Sequence, residues 1–100
     1  MTDFEIEIKL KLYIAMLFNI PDGLKRLSCR FDPPVARVLA VFDSPPQDYQ
    51  QDCIRAIASE VEGHFLDPFQ CKVEFLVETS GSREIDLEHL LFARYDADMY

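Results

Sequence analysis

The segment LKRLSCRFDPPVARVLAVFD, residues 24–43, decides the fold because it contains two strands and the turn between them. Apolar and polar residues alternate over residues 27–31, which is typical of a strand with one buried face. Residues 35–43 are apolar on both faces apart from Arg37, which is typical of a strand in the middle of a sheet. The short Asp-Pro-Pro link at 32–34 predicts that the two strands pair as a hairpin.

The segment after this hairpin carries the signals of a helix. Ser44 is a suitable N-cap, with Pro45 at the first helical position and Gln47 at the capping-box position. Apolar residues then recur at helical spacing as far as Val61. Gly63 predicts a left-handed residue that ends the helix.

Two further strands are expected after this helix. Residues 71–78 alternate apolar and mostly charged side chains, which is the clearest strand pattern in the chain. A polar loop at residues 79–84 then leads to a last strand within residues 85–95.

The first segment fits two kinds of structure. Over residues 4–12, apolar residues alternate with Glu and Lys, as in a strand. The same charges form two favourable Glu–Lys pairs four residues apart, and no turn residue follows them, as in a helix. A helix over residues 6–18 is favoured, closed by Pro-Asp-Gly at 21–23.

The order helix-strand-strand-helix-strand-strand predicts an α+β fold in one domain over residues 1–100. Two hairpins, each preceded by a helix, give a two-layer sandwich with a four-stranded antiparallel sheet and both helices on one face. The other face would be open to solvent and would carry five charged residues: Arg26, Arg30, Lys72, Glu74 and Glu78.

The chain is strongly acidic, with 18 Asp and Glu residues against 10 Lys and Arg residues and a net charge of -8. Such a surface repels nucleic acid and attracts basic protein partners. The apolar run at residues 6–20 is interrupted by charges, so it cannot span a bilayer, and no signal-peptide pattern is found. Three cysteines without a CxxC pair do not indicate a disulfide scaffold, so we expect a cytoplasmic protein.

No residue pattern points to catalysis or to a cofactor. His64, Asp67 and Cys71 lack a recognisable zinc spacing, and the cysteines are expected to be buried, inert thiols. The three glycines form neither a phosphate-binding loop nor a nucleophile elbow. We therefore expect a binding protein without cofactor, metal or enzymatic activity.

Two groups of carboxylates are dense enough to suggest a binding surface. One lies on the exposed face of the second helix and the other near the last strand: Asp48, Asp52 and Glu62, and Glu84, Asp86 and Glu88. They would steer the chain to a basic active site, while Tyr95 or Tyr100 would serve as a buried anchor. A solvated surface without a partner is the alternative interpretation.

Several stretches occur in the order and spacing of a known family: LFNIP at 17–21, LKRLSC at 24–29, IASEVEGHF at 57–65, VEF at 73–75 and FARY at 92–95. Over about residues 10–95 the chain resembles small bacterial immunity proteins of contact-dependent growth inhibition and other polymorphic toxin systems. Two positions depart from the family pattern. Lys25-Arg26 stands where an Arg and a small residue are usual, and HFL at 64–66 stands where an acidic residue, Phe and Pro are usual.

The resemblance implies the same order of helices and strands and favours a helix for the first segment. It also implies a cytoplasmic antitoxin that binds the toxic domain of a cognate effector, and it supplies no catalytic residues. Together with the charge, this predicts occlusion of the basic active site of a nuclease, for example a ribonuclease. The alternative is a self-associating scaffold or regulatory domain whose open sheet face pairs with a second copy.

Overall fold

The computed structural model describes residues 2–32, 34–65, 69–78 and 85–94, which form two helices and four strands. In chain order these are α1 (Asp3–Met16), β1 (Leu24–Asp32), β2 (Val35–Phe42), α2 (Asp48–His64), β3 (Gln70–Val77) and β4 (His89–Ala93). The predicted α+β class and the predicted order of elements are confirmed.

The first segment is a helix, and α1 begins three residues earlier than predicted because a capping box fixes its start. Thr2 Oγ1 accepts a hydrogen bond from the Glu5 backbone N at 3.2 Å, and Glu5 Oε2 accepts one from the Thr2 backbone N at 3.3 Å. The side that faces the core buries four residues: Ile8, Leu12, Ala15 and Met16.

The second helix is confirmed, but both of its ends differ from the prediction. Its N-cap is Gln47 rather than Ser44, and the backbone N of Gln47 donates to Gln50 Oε1 at 2.7 Å. Gly63 lies inside the helix, and the only glycine described with a positive φ is Gly23. The helix ends at His64 instead, and the backbone becomes extended at the C-cap, Phe65.

The sheet is mixed, so the prediction of an antiparallel sheet is wrong. The strand order is β3-β2-β1-β4, with β1 antiparallel to both of its neighbours and β2 parallel to β3. The reason is α2, which returns the chain to the end of the sheet where β2 began, so that β3 runs in the same direction as β2. β3 and β4 therefore lie at opposite edges and form no hairpin.

Both helices pack on one face of the sheet, as predicted. In β1 and β2, Leu27 pairs with Ala40 and Cys29 with Val38, so these four side chains share a face. They form a single core cluster with the buried residues of both helices. From α2 these are Ile54, Ile57, Ala58 and Val61.

The opposite face of the sheet is only partly open, so the exposure predicted for Arg26 is wrong. Arg26 and Ser28 are fully buried there, opposite Val41 and Leu39, which are buried as well. Of the other residues predicted for this face, three are exposed and the last is half-buried: Arg30, Lys72, Glu74 and Glu78.

Arg26 is buried because the described residues that lead into β4 lie against this face of the sheet. In that segment Asp86 Oδ1 lies 2.9 Å from Arg26 Nε and accepts its hydrogen bond. The backbone N of Leu87 donates to Ser28 Oγ, also at 2.9 Å. A buried ion pair and a buried hydroxyl therefore bind this segment to β1.

Two of the three cysteines are buried as expected, and the third is half-buried on α2. Burial raises the pKa of Cys29 and of Cys71 to about 12. Thiolate is the reactive form, and at about pH 8 only about one in 10⁴ of such thiols is ionised. Both buried cysteines are therefore unreactive in the folded chain.

We expect an alkylating reagent at about pH 8 to modify one thiol per folded chain rapidly, at Cys53. Mass spectrometry of the intact chain and of its peptides measures this, and Cys53→Ser should abolish the rapid modification. Denaturant should make all three thiols reactive, since burial is what protects the other two. Rapid modification of Cys29 or Cys71 without denaturant would contradict the packing described above.

Candidate protein-binding surface

Two predicted carboxylates, Asp48 and Asp52, are exposed at the beginning of α2. Because they are four residues apart, they share the side of the helix opposite the buried Ile54 and Ile57. Asp48 lies in the first turn, where the helix dipole stabilises a negative charge. Asp52 Oδ1 lies 3.7 Å from Arg55 Nη1, an exposed pair that constrains it weakly.

The turn before β1 brings a further carboxylate to this end of α2. Tyr49 Oη donates a hydrogen bond to Asp22 Oδ1 at 2.9 Å, and Gln50 Nε2 donates to the Asp22 backbone O at 2.7 Å. The turn requires a left-handed residue, which is Gly23 with a φ of 84°. We define the acidic corner as these four residues: Asp22, Asp48, Tyr49 and Asp52.

Tyr49 is the aromatic residue of the acidic corner, and its side chain is suited to an interface. It is 52% exposed, and its hydroxyl is held by Asp22. That hydrogen bond raises the pKa of Tyr49, so the phenol stays neutral at physiological pH. A fixed ring with an apolar body and a polar tip is the kind of anchor on which protein interfaces depend.

The carboxylate that follows β2 is neutralised and is not part of the acidic corner. Asp43 Oδ2 lies 2.7 Å from Arg94 Nη2, and its Oδ1 lies 4.0 Å from Lys25 Nζ. Two cations close to one carboxylate leave little negative potential for a partner.

Two other predicted binding residues, Glu62 and Asp86, have internal partners. Glu62 Oε1 accepts a hydrogen bond from the Cys71 backbone N at 2.7 Å and so connects α2 to the start of β3. Asp86 forms the buried pair with Arg26 and is only 9% exposed. Periodicity in the sequence does not separate such carboxylates from free ones.

Glu88 is exposed, but it lies away from the acidic corner. The next residue, His89, pairs with Cys29 in β1, whereas Asp22 precedes Leu24 at the start of that strand. Five residues of strand separate the two sites, which is about 17 Å. Glu84, Tyr95 and Tyr100 lie outside the described residues, so the structure brings only part of the predicted set together.

The outer side of α1 is a surface that the carboxylate pattern did not reveal. Six large apolar side chains of the helix and the turn after it are at least 40% exposed: Ile6, Leu10, Tyr13, Ile14, Leu17 and Phe18. We call these six residues the α1 apolar face. The signal was present in the sequence, because a surface helix normally has a polar side opposite its core side, and in this segment that side carries Ile6, Leu10 and Leu17.

Neither a metal-binding cluster nor a pocket is found among the described residues. They contain no group of three or more His, Cys, Asp or Glu side chains placed to hold a metal ion. His64 Nε2 lies 3.5 Å from Glu7 Oε1, and Asp67 lies outside the described residues. No pocket is found in the same part of the chain. None of the described helices combines the length and the apolar character needed to cross a membrane.

What the surface offers is therefore an acidic corner and an apolar face, both suited to contact with protein. No curated protein matches the chain. The model of a protein family described as MafI2 immunity protein matches residues 5–96, which is most of the chain. The chain belongs to the MafI2 immunity protein family.

Proposed function

We propose that this immunity protein neutralises its cognate toxin by covering the toxin's active site, and that the toxin is a nuclease. Family membership supports a toxin-neutralising function and a protein partner. The net charge of -8 supports a basic target, because oppositely charged surfaces attract and orient each other. A nuclease fits because its active site must hold phosphate groups with cationic side chains.

The acidic corner is the observation that carries this proposal. Asp22 accepts a hydrogen bond from Tyr49, and Asp48 and Asp52 lie in the same first turns of α2, where Asp52 makes a weak ion pair with Arg55. The spacing of these three aspartates along a loop and one turn of helix presents separate anionic groups, as a phosphate backbone does. The cationic groups of a nuclease site would then contact carboxylates instead of substrate.

The same charges speed up complex formation. Electrostatic steering raises association rates to about 10⁸ M⁻¹s⁻¹ or more at low salt. Rapid capture matters for an immunity protein, because a toxin must be bound before it reaches its substrate. We place this encounter in the cytoplasm, and inhibition by coverage needs no chemistry from the immunity protein.

Calorimetry with the cognate toxin domain, to be sought in the reading frames next to this gene, tests the proposal at about 50 mM and about 300 mM salt. We expect nanomolar binding at low salt, at least about tenfold weaker binding at high salt, and loss of nuclease activity in the complex. A toxin with another activity would remove the nuclease part of the proposal. Absence of binding would remove the proposal as a whole.

A further inference from the structure

We propose that the α1 apolar face binds a second copy of this chain, so that the immunity protein is a homodimer with two acidic corners. This inference goes beyond toxin binding and concerns a different surface. It rests on the spacing, the orientation, the area and the charge of the α1 apolar face.

The spacing of the exposed residues is that of a seam between two helices. Ile6, Leu10, Tyr13 and Leu17 are separated by four, three and four residues. Alternating steps of three and four keep side chains on one line along a helix, which is the pattern by which helices pack against each other. A two-fold axis would place the same line on both subunits in contact with itself.

The orientation of the seam leaves the acidic corner accessible. α1 turns Phe4 and Glu7 towards α2, since Phe4 stacks edge-on with Phe65 and Glu7 contacts His64. By helical periodicity, Leu10 and Leu17 lie on the side of α1 that points away from α2 and from the sheet. A second copy bound to the seam therefore does not cover the beginning of α2.

The exposed area is close to what a stable interface needs. The exposed fractions range from 40% for Tyr13 to 95% for Phe18. With roughly 150–250 Å² for a large side chain, the six residues expose roughly 550–900 Å² together. A standard interface buries about 800 Å² on each partner. The α1 apolar face and its immediate neighbours therefore suffice for a dimer.

The charge of α1 favours a second copy over a basic partner. The helix contains three acidic and two basic residues, so its net charge is only -1 of the total of -8. Lys9 and Lys11 lie within the same helix and would repel a basic toxin surface. Two copies of α1 repel each other only weakly, while most of the negative charge, including that of the acidic corner, lies elsewhere in the chain.

The apolar character points to a permanent partner. Free monomers rarely expose apolar patches of this size, and interfaces that are always occupied are more apolar than transient ones. A second copy is the partner that is present whenever the chain is present. The sheet face is less suitable for self-association, because Arg26 and Ser28 are buried there against Asp86 and Leu87.

Sedimentation equilibrium over about 1–500 μM tests the dimer with the unmodified chain. We expect twice the monomer mass at the upper concentrations. The variant Leu10→Glu/Leu17→Glu should raise the dimer dissociation constant at least about 100-fold, because it places charges in the seam. The control Leu76→Glu changes an apolar residue of β3 that is 43% exposed, and it should leave the mass unchanged.

The seam variants should remain folded, because Leu10 and Leu17 are 56% and 71% exposed, and circular dichroism checks this. Leu17→Glu alone tests the same seam at the C-cap of α1, just after the last residue of the helix, and should also raise the dimer dissociation constant. A wild-type chain that stays monomeric, or a folded double variant that stays dimeric, would overturn the proposal.

A measurement of toxin binding distinguishes failure of the dimer proposal from failure of the proposed function. The monomeric double variant should bind the toxin domain within about threefold of the wild type, since the acidic corner is intact. A variant whose mass is unchanged but whose toxin binding is lost would identify the toxin as the occupant of the seam and overturn the dimer. Failure of the wild type to bind toxin would instead contradict the proposed function and leave the dimer test intact.

Discussion

Replacing Arg26 with Ala is expected to lower the free energy of unfolding by about 3–5 kcal/mol. Arg26 is fully buried, and its Nε bonds Asp86 at 2.9 Å. Removing the guanidinium leaves the Asp86 carboxylate, which is 9% exposed, without its main cation. Urea unfolding followed by circular dichroism measures the loss.

Arg37→Ala is the matched control for this experiment. Arg37 is also an arginine of the sheet, but it is 53% exposed, and its contacts with Asp32 and Glu74 are both 3.9 Å. Exposed ion pairs contribute less than about 1 kcal/mol. A difference of more than about 2 kcal/mol between the two variants is therefore expected, and equal losses would contradict the structural role given to Arg26.

The double variant Arg26→Met/Asp86→Leu separates lost packing from an unpaired charge. Replacing a whole buried ion pair with apolar residues of similar size is often neutral. We therefore expect the double variant to be more stable than Arg26→Ala. A double variant as unstable as Arg26→Ala would mean that the hydrogen bonds around the pair matter more than the charge.

The structural role of Asp86 also decides how a loss of toxin binding in an Asp86 variant should be interpreted. Asp86 is among the carboxylates predicted to contact the toxin, yet its side chain contacts Arg26 inside the fold. Asp86→Ala is therefore expected to reduce toxin capture through loss of folded protein. Binding per folded molecule distinguishes this effect from loss of a contact.

Local signals in the sequence were enough for the hairpin, for β4 and for the presence of α2, because turn residues and periodicity act over a few positions. The capping signals, however, misplaced both ends of α2. The position of β3 in the sheet, in contrast, is not decided by local signals. Its alternating pattern is the same in a parallel and an antiparallel sheet, and the direction of β3 is decided by how α2 crosses over the sheet. The hairpin rule, applied to β3 and β4, therefore predicted a pairing that the crossover excludes.

The same limit applies to Arg26. Strand alternation correctly places it on the face opposite the helices, but alternation does not distinguish a charge that meets water from one that meets another charge. Asp86 lies 60 residues later in the chain. Only the path of the segment between β3 and β4 brings the two together.

The sequence correctly predicted those residues of the candidate site whose exposure depends on helical periodicity alone. Asp48 and Asp52 are exposed as expected, whereas Glu62 on the same helix accepts a hydrogen bond from Cys71. Asp22 and Tyr49 were missed because their contact joins a turn to a helix 27 residues away. The α1 apolar face was missed because the alternation of its residues was used to choose between helix and strand.

Reversing two charges of the acidic corner, with Asp48→Lys/Asp52→Lys, is expected to weaken toxin binding by about 1000-fold or more. Close charge pairs across an interface couple by about 2 kcal/mol or more each. Two such pairs lost, together about 4 kcal/mol, correspond to about 1000-fold in the dissociation constant. Both residues are exposed, so the variant should fold normally.

The control Asp32→Lys/Glu74→Lys changes the net charge by the same amount. Each change from Asp or Glu to Lys adds two positive charges, so either double variant goes from -8 to -4. Asp32 and Glu74 are exposed and, like Asp52, each contacts an arginine at 3.6–3.9 Å. They lie outside the acidic corner, so the control should lose only the part of the association rate that depends on total charge.

Surface plasmon resonance at two salt concentrations separates these contributions. Steering by total charge acts on the association rate and fades with salt, whereas contacts in the interface act mainly on the dissociation rate. The acidic-corner variant should show both effects and the control only the first. Equal losses in the two variants would mean that net charge drives binding and that the toxin does not contact the acidic corner. Normal binding by the acidic-corner variant would move the interface to another surface, and the α1 apolar face would be the first to test.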